Sequence, residues 1–271
     1  MLRDTELAAY FARIGYNGPR EATLAALSGI VARHATSIPF ENIDVLLGRG
    51  AKLDSEALFD KVVERRRGGY CFEHNSLLLH VLESLGFAAE GLAARVLWNQ
   101  PPDRPGPRTH MLLRVTMPEG VYLADVGFGG LTLTAPLSLE VGPEQATPHE
   151  PHRLVAMDDE VELQARLDSG WARLYHFTPT SQLPIDYEVA NWFTATFPGG
   201  LFTGNLMMAR PDPDQRYAMF NREFTIRPLG GPPARRTLER AEELGDVLER
   251  HFLLPTDPAD IQGVWAKIAG R

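Results

Sequence analysis

The 271 residues contain a single cysteine, Cys71, together with eight histidines and 35 acidic side chains. A lone thiol makes no intrachain disulfide, so it is either a small buried hydrophobe or a group with chemistry to perform. Its setting is Arg67-Gly68-Gly69-Tyr70-Cys71-Phe72-Glu73-His74-Asn75. The two glycines permit a tight turn, and the apolar spacing beyond them predicts a helix over about Phe72–Leu85 that Gly86 stops. Helix starts carry unpaired N–H groups and a partial positive charge, which favour a thiolate over a thiol. A structural core cysteine is the plainer reading, but a core helix seldom opens with a Gly-Gly turn.

A nucleophilic cysteine needs a base, and the base needs a group that orients it. His74 and His80 share the predicted helix with Cys71, and His74, three residues on, could face the thiol. His34, His149, His152, His176 and His251 lie in loop or helix-end contexts that suggest no chemistry. His110 differs, because it opens the strand-like run Thr109–Val115, which hairpins into Val121–Asp125. A four-residue turn, Met117–Gly120, pairs Thr116 with Val121 and sets Asp125 opposite Leu112, on the face of His110 and about 7–8 Å away on the diagonal. A three-residue turn would put the two on opposite faces. Asp125 stands out in either register, since an acid within the apolar run Val121–Val126 is costly without a partner.

Other chemistries find less support. One cysteine and histidines without i, i+4 or Cys-x-x-Cys spacing give no zinc pattern. Asp125-Val126-Gly127-Phe128-Gly129-Gly130 is glycine-rich and follows a strand, but no helix opens after it, so it is not a phosphate or dinucleotide loop. Arg67 and Glu73 read as a buried Arg–Glu pair that fixes the helix.

The elements that must carry these residues follow from periodicity. Residues 1–86 read as helical: Leu7, Phe11 and Ile14 before Gly15, then Leu24, Leu27 and Val31 before Pro39, then Leu58–Val63 behind an N-cap at Ser55 and ending at Gly68-Gly69. The period then shifts to two, with strands near Gly91–Trp98, Thr109–Met117, Val121–Val126, Arg153–Met157, Val161–Leu167, Trp171–Phe177 and Glu223–Arg227. Turn-forming separators stand at Pro101–Pro107 and Pro118–Gly120, and helices at Leu238–Phe252 and Ala259–Ala269 close the chain. The 24 Gly and 21 Pro, about a sixth of the residues, suit many turns. A formal charge of −8 argues against a nucleic-acid binder. No run reaches the ~18–20 apolar residues of a membrane span, and Met1–Tyr16 carries charges where a secretory signal needs an apolar core. The expected location is cytoplasmic.

With those residues in view, the segment Arg67–Asn75 resembles the R-G-G-x-C-x-E-x-N active-site motif of the arylamine N-acetyltransferases. Pro39-Phe40-Glu41-Asn42 is similar to their upstream P-F-E-N motif, and Thr109-His110 and Asp125–Gly129 match the segments that hold their histidine and aspartate. The order Cys, His, Asp and the spacings of 39 and 15 residues fit as well, and the likeness continues through Asn191-Trp192-Phe193 and Phe220-Asn221. It implies an α+β fold of bacterial type: an N-terminal helical bundle over 1–86, a central antiparallel β-barrel over 87–190 and a C-terminal α/β lid over 191–271, with a Cys-His-Asp triad as in cysteine-protease-like folds. It implies that Cys71 takes an acetyl group from acetyl-CoA and passes it to an arylamine, arylhydroxylamine or hydrazine, with His110 as base then acid and Asp125 orienting it. No metal and no nucleic-acid or membrane partner is implied, and the chain would be a monomer or homodimer. Phe40, Val96, Phe128 and Phe202 would line the substrate pocket, and Thr109 and Gly127 the cofactor site. Where the family often has P-x-S-x-F, this chain has Pro198-Gly199-Gly200-Leu201-Phe202, which removes a serine contact.

Three alternatives share the motifs: an amide synthase drawing on a carrier-bound acyl chain, a thiol hydrolase with water as acceptor, and a binding protein that retains only the fold. An intact Cys71, His110 and Asp125 argues against the last.

Overall fold

A computed structural model describes residues 1–101 and 106–271. The expected separator Pro101–Pro107 therefore falls partly outside the described residues. In chain order the elements are α1 (Asp4–Ile14), α2 (Leu24–Ser37), β1 (Phe40–Glu41), α3 (Ile43–Leu46), α4 (Ser55–Phe59) with a π turn over Asp60–Glu64, and α5 (Cys71–Ser84). Next come β2 (Ala88–Val96), β3 (His110–Met117), β4 (Gly120–Ala124), β5 (Leu137–Ser138), β6 (His152–Met157), β7 (Glu160–Leu167) and β8 (Gly170–Phe177). The chain closes with α6 (Pro184–Thr196), α7 (Leu201–Gly204), β9 (Met207–Asp212), β10 (Gln215–Phe220), β11 (Glu223–Pro228), β12 (Ala234–Thr237), α8 (Ala241–Phe252) and α9 (Pro258–Ile268).

The helices start and stop for local reasons. α1 ends at Gly15, whose φ of +62° is the left-handed conformation that a glycine accepts without strain. The N-cap of α4 is Asp54 rather than Ser55, because the Asp54 carboxylate accepts the Ala57 amide at 2.9 Å. That helix widens into the π turn and ends at Arg65, short of the expected Gly68-Gly69. At the start of α5 the Tyr70 amide donates to the Glu73 carboxylate at 3.0 Å, so an orphan donor is satisfied from within the motif.

Seven strands form one antiparallel sheet in the order β5-β4-β3-β2-β8-β7-β6, and the sheet curls until its edges nearly meet. Gln145 joins those edges: its side chain bonds the Ser138 backbone and its own backbone pairs with His152. The fold is thus a mixed α+β structure built on a nearly closed antiparallel barrel. A second sheet has the order β1-β9-β10-β11-β12, so the N-terminal Phe40-Glu41 strand extends the C-terminal sheet. One hydrophobic cluster joins α1, α2 and α5 to β3 and β4, another fills the barrel, and a third lies between the C-terminal sheet and α8–α9. Among the described residues no helix is long and apolar enough to cross a membrane.

Candidate active site

Cys71 is the first residue of α5, and the turn before it is shaped by close backbone contact. A Cβ on Gly68 would lie 2.0 Å from the Pro39 carbonyl oxygen, so only glycine lets the two segments meet. The Glu41 amide bonds the Gly69 carbonyl at 2.8 Å, which ties the Pro39–Asn42 segment to the turn. Arg67 and Glu73 do not pair with each other as expected. Arg67 donates to Glu41 at 2.8 Å, and Glu73 takes Lys61 at 2.7 Å. Both acids are deeply buried, and each charge is matched by the cation nearest its own side of the turn.

His110 and Asp125 meet in the register expected of the four-residue turn, although Met117 and Gly120 also pair and leave only Pro118-Glu119 as the loop. Met117 pairs with Gly120 and Thr116 with Val121, the register that puts both side chains on one face. His110 Nε2 and Asp125 Oδ2 are 2.7 Å apart, and both residues are buried. The other carboxylate oxygen accepts the Gly127 amide and Asn75 Nδ2, each at 3.0 Å. Burial opposes a charge on Asp125, but His110, Asn75 and the Gly127 amide outweigh it and hold the carboxyl below its ordinary range. Burial likewise opposes an imidazolium at His110. The Asp125 charge and hydrogen bond, joined by Cys71, prevail and raise His110 to about 10. With Nε2 committed to Asp125, Nδ1 is the nitrogen left to serve the Cys71 sulfur. His74 is excluded as the base, since its ring bonds His34 and the Pro39 carbonyl instead.

Asn75 carries more of the site than its place in the motif suggests. Its Nδ2 also donates to the Met111 carbonyl at 2.7 Å, while its Oδ1 accepts the Val126 amide at 3.1 Å. One side chain therefore couples α5, the His110 strand and the Asp125 loop. Its position four residues after Cys71, on the same helix face, is the signal that marks it. Tyr175 has no such local signal. Its ring lies 4.9 Å from that of His110 and 5.2 Å from that of Phe128, contacts made by strand pairing across the barrel.

The residues expected around the triad fall in distinct places. Phe128 stands edge-on to His110 with ring centroids 5.2 Å apart. Phe40 and Phe202 face each other at 6.0 Å, and Phe202 meets Tyr70 at 5.6 Å. Val96 pairs with Tyr175 across β2 and β8, one strand removed from β3. The Thr109 carbonyl lies 3.5 Å from the Cys71 sulfur. Gly127 packs directly on Cys71, since a Cβ there would come within 2.8 Å of Cys71 Cα. Beside Thr109 opens a cavity of about 360 Å³ walled by Phe72, Ala93, Thr109, Tyr187, Ala190 and Phe193, among others. Among the described residues no cluster of three His, Cys, Asp or Glu side chains suits a metal ion.

The chain that brings Cys71 on α5 to His110 and Asp125 on the barrel has relatives. The N-acetyltransferase family model matches residues 23–261. An arylamine N-acetyltransferase of Mycolicibacterium smegmatis is 44% identical over 270 residues, 97% of each chain. The chain belongs to the arylamine N-acetyltransferase family. A Salmonella typhimurium relative described as an arylamine N-acetyltransferase and N-hydroxyarylamine O-acetyltransferase is 38% identical, covering 91% of this chain and 88% of its own. The solved structure of the Mycobacterium marinum arylamine N-acetyltransferase superposes with a TM-score of 0.92 at 40% identity, covering 97% and 99% of the two chains. The structure of the M. marinum enzyme in complex with CoA also gives 0.92, at 42% identity and with 97% and 98% covered. This family member is accordingly an acyltransferase, with its one thiol at the start of α5.

Proposed function

We propose that this enzyme moves an acetyl group from acetyl-CoA to the nitrogen of an arylamine or hydrazine, or to the oxygen of an arylhydroxylamine, by a ping-pong route through acetyl-Cys71. The observation that carries the proposal is the buried His110–Asp125 pair set against the only thiol. The Cys71 thiolate attacks the acetyl carbonyl carbon of acetyl-CoA. The tetrahedral intermediate collapses, and the CoA sulfur leaves with the proton that His110 supplies. The acceptor nitrogen then attacks the acetyl-cysteine carbonyl, His110 removes the N–H proton, and Cys71 leaves as thiolate. Asp125 orients the imidazole and stabilises its charged form without itself taking the proton.

Phe40, Phe128 and Phe202, aromatic groups close to the triad and its turn, are the wall offered to an aryl acceptor, with Val96 beyond Tyr175. Thr109 and Gly127, both in contact with Cys71, are the backbone positions offered to the acyl donor. The division into 1–86, 87–190 and 191–271 belongs to the same proposal; the cluster that fills the barrel lies wholly within the middle unit, whereas each of the other two joins residues of more than one unit. Initial rates over a grid of acetyl-CoA and arylamine concentrations test the route. Parallel double-reciprocal lines are expected. Lines that converge would mean a ternary complex with direct transfer, and the acetyl-cysteine would then drop out.

A further inference from the structure

Behind the nucleophile turn three buried side chains form a chain of hydrogen bonds that the acetyl-transfer steps do not use. Tyr10 Oη is 2.7 Å from His34 Nδ1, His34 Nε2 is 2.9 Å from His74 Nδ1, and His74 Nε2 is 3.1 Å from the Pro39 carbonyl oxygen. None of the three side chains has more than about 2% of its surface in water. The last acceptor dictates every proton in the chain. A carbonyl oxygen only accepts, so His74 Nε2 carries a hydrogen and, in the neutral ring, Nδ1 is bare. His34 must then donate from Nε2, which leaves its own Nδ1 bare to accept from the Tyr10 hydroxyl. Burial holds His74 down to about 4 and His34 well below its ordinary range, so both rings stay neutral around pH 7. Arg13 and Lys61 act in the same sense as burial, and Glu41 and Asp125 oppose it without prevailing.

The chain ends at a carbonyl that touches the turn ahead of Cys71. Pro39 O is the atom pressed on Gly68, and the next residue, Phe40, bridges Gly69 and faces Phe202. We propose that the one-directional chain Tyr10→His34→His74→Pro39 is a positioning device that holds Phe40 against the acceptor, so that His34 and His74 set acceptor binding rather than the chemistry. Cys71 is also held by the Glu73 bond to Tyr70 and by Asn75, neither of which involves Pro39, whereas Phe40 follows Pro39 directly and has the β1–β9 pairing and the Glu41 bond to Gly69 beside the imidazole contact. Loss of the chain is therefore read in the acceptor KM and only weakly in kcat. This inference rests on Cys71 and Phe40 having the roles proposed above.

The test uses the full-length enzyme and His74→Leu, His74→Gln and Tyr10→Phe. Nitrogen-15 spectra of the wild type at about pH 7 should show both rings protonated at Nε2 and bare at Nδ1, and Tyr10→Phe should move the His34 Nδ1 signal without altering the His74 tautomer. His74→Leu should raise the arylamine KM about tenfold at nearly constant kcat, the scale of an unpaired buried group. Glutamine can donate to Pro39 and accept from His34, so His74→Gln should restore KM. If His74→Leu lowers the melting temperature while KM stays at the wild-type value, the chain is structural only and the inference is overturned. An Nδ1–H tautomer in either ring overturns it as well, and this spectrum needs no folded variant. A wild-type enzyme that takes no acetyl group from acetyl-CoA on Cys71 would instead overturn the acetyl-cysteine reading on which the inference stands.

Discussion

At the scale of single residues, the site depends on an ion pair removed from water. His110 has a folded pKa of about 10, above the ~6.5 of a free imidazole. Its contribution to stability is thus fully present below pH ~6.5 and is lost as pH rises through about 10. Asp125 is depressed, so its contribution is present above the free carboxyl value near 3.9 and is lost as pH falls through the folded value. Both are complete between about pH 4 and 6.5. Asp125→Asn removes the charge that holds His110 up. Melting temperature followed from pH 6.5 to 10 should fall in the wild type and fall less in the variant; identical slopes would mean that the pair does not titrate as a unit. The three side chains were legible as a set because an acid in an apolar strand and a thiol after Gly-Gly are both unusual. The hairpin turn was not legible, since three- and four-residue turns suit Pro118-Glu119-Gly120 about equally. Only the pairing of Thr116 with Val121 decides it.

At the scale of elements, α5 and the β4–β5 loop approach so closely that Gly127 has no room for a side chain. The methyl of Gly127→Ala would meet the Cys71 backbone and Asn75 Nδ2 at 2.8 and 2.9 Å. Overpacking of this kind costs about 1–3 kcal/mol, and a shift of the nucleophile near 1 Å costs roughly 10²-fold in rate. Gly127→Ala should remain folded by circular dichroism and lose transfer activity on that order. Full activity would show that the helix and loop can part without consequence. Helices with sharp ends were readable from sequence, and α5 and α9 lie within one or two residues of expectation. α6 was missed although Pro184 and the Asp186 bond to the Leu183 amide mark its start, because Ile185, Val189 and Trp192 leave apolar groups in water and blur the amphipathic pattern. β12 was missed for the opposite reason, as Ala234–Thr237 is exposed throughout and carries no alternation.

At the scale of the whole molecule, the C-terminal sheet supports the site loop directly. Arg216 on β10 holds Glu150 through Nε and Nη2 and donates from Nη2 to the Thr132 carbonyl at 3.1 Å, while the Thr132 hydroxyl bonds the Asp125 carbonyl at 3.2 Å. The Arg216 side chain is 4% exposed and that of Glu150 11%, so Arg216→Met would leave a nearly buried carboxylate unpaired. Removing one partner of such a pair costs about 3–5 kcal/mol. Denaturant unfolding should register a loss of that size, and removing Glu150 as well should recover part of it. A loss within about 0.5 kcal/mol, typical of a surface change, would mean that the sheet is not coupled to the loop. The sequence could not reveal this contact, because residues 132, 150 and 216 come together only through the packing of two sheets.

The proposed route places the acyl group on the sulfur of Cys71. The most direct measurement is intact mass after incubation with acetyl-CoA and no acceptor, followed by peptide mapping. The account predicts one acetyl group, located on Cys71, discharged when an arylamine is added and absent in Cys71→Ser. Wild-type enzyme that turns over arylamine yet never carries an acetyl group on Cys71, or a Cys71→Ser variant labelled to the same extent, would contradict it.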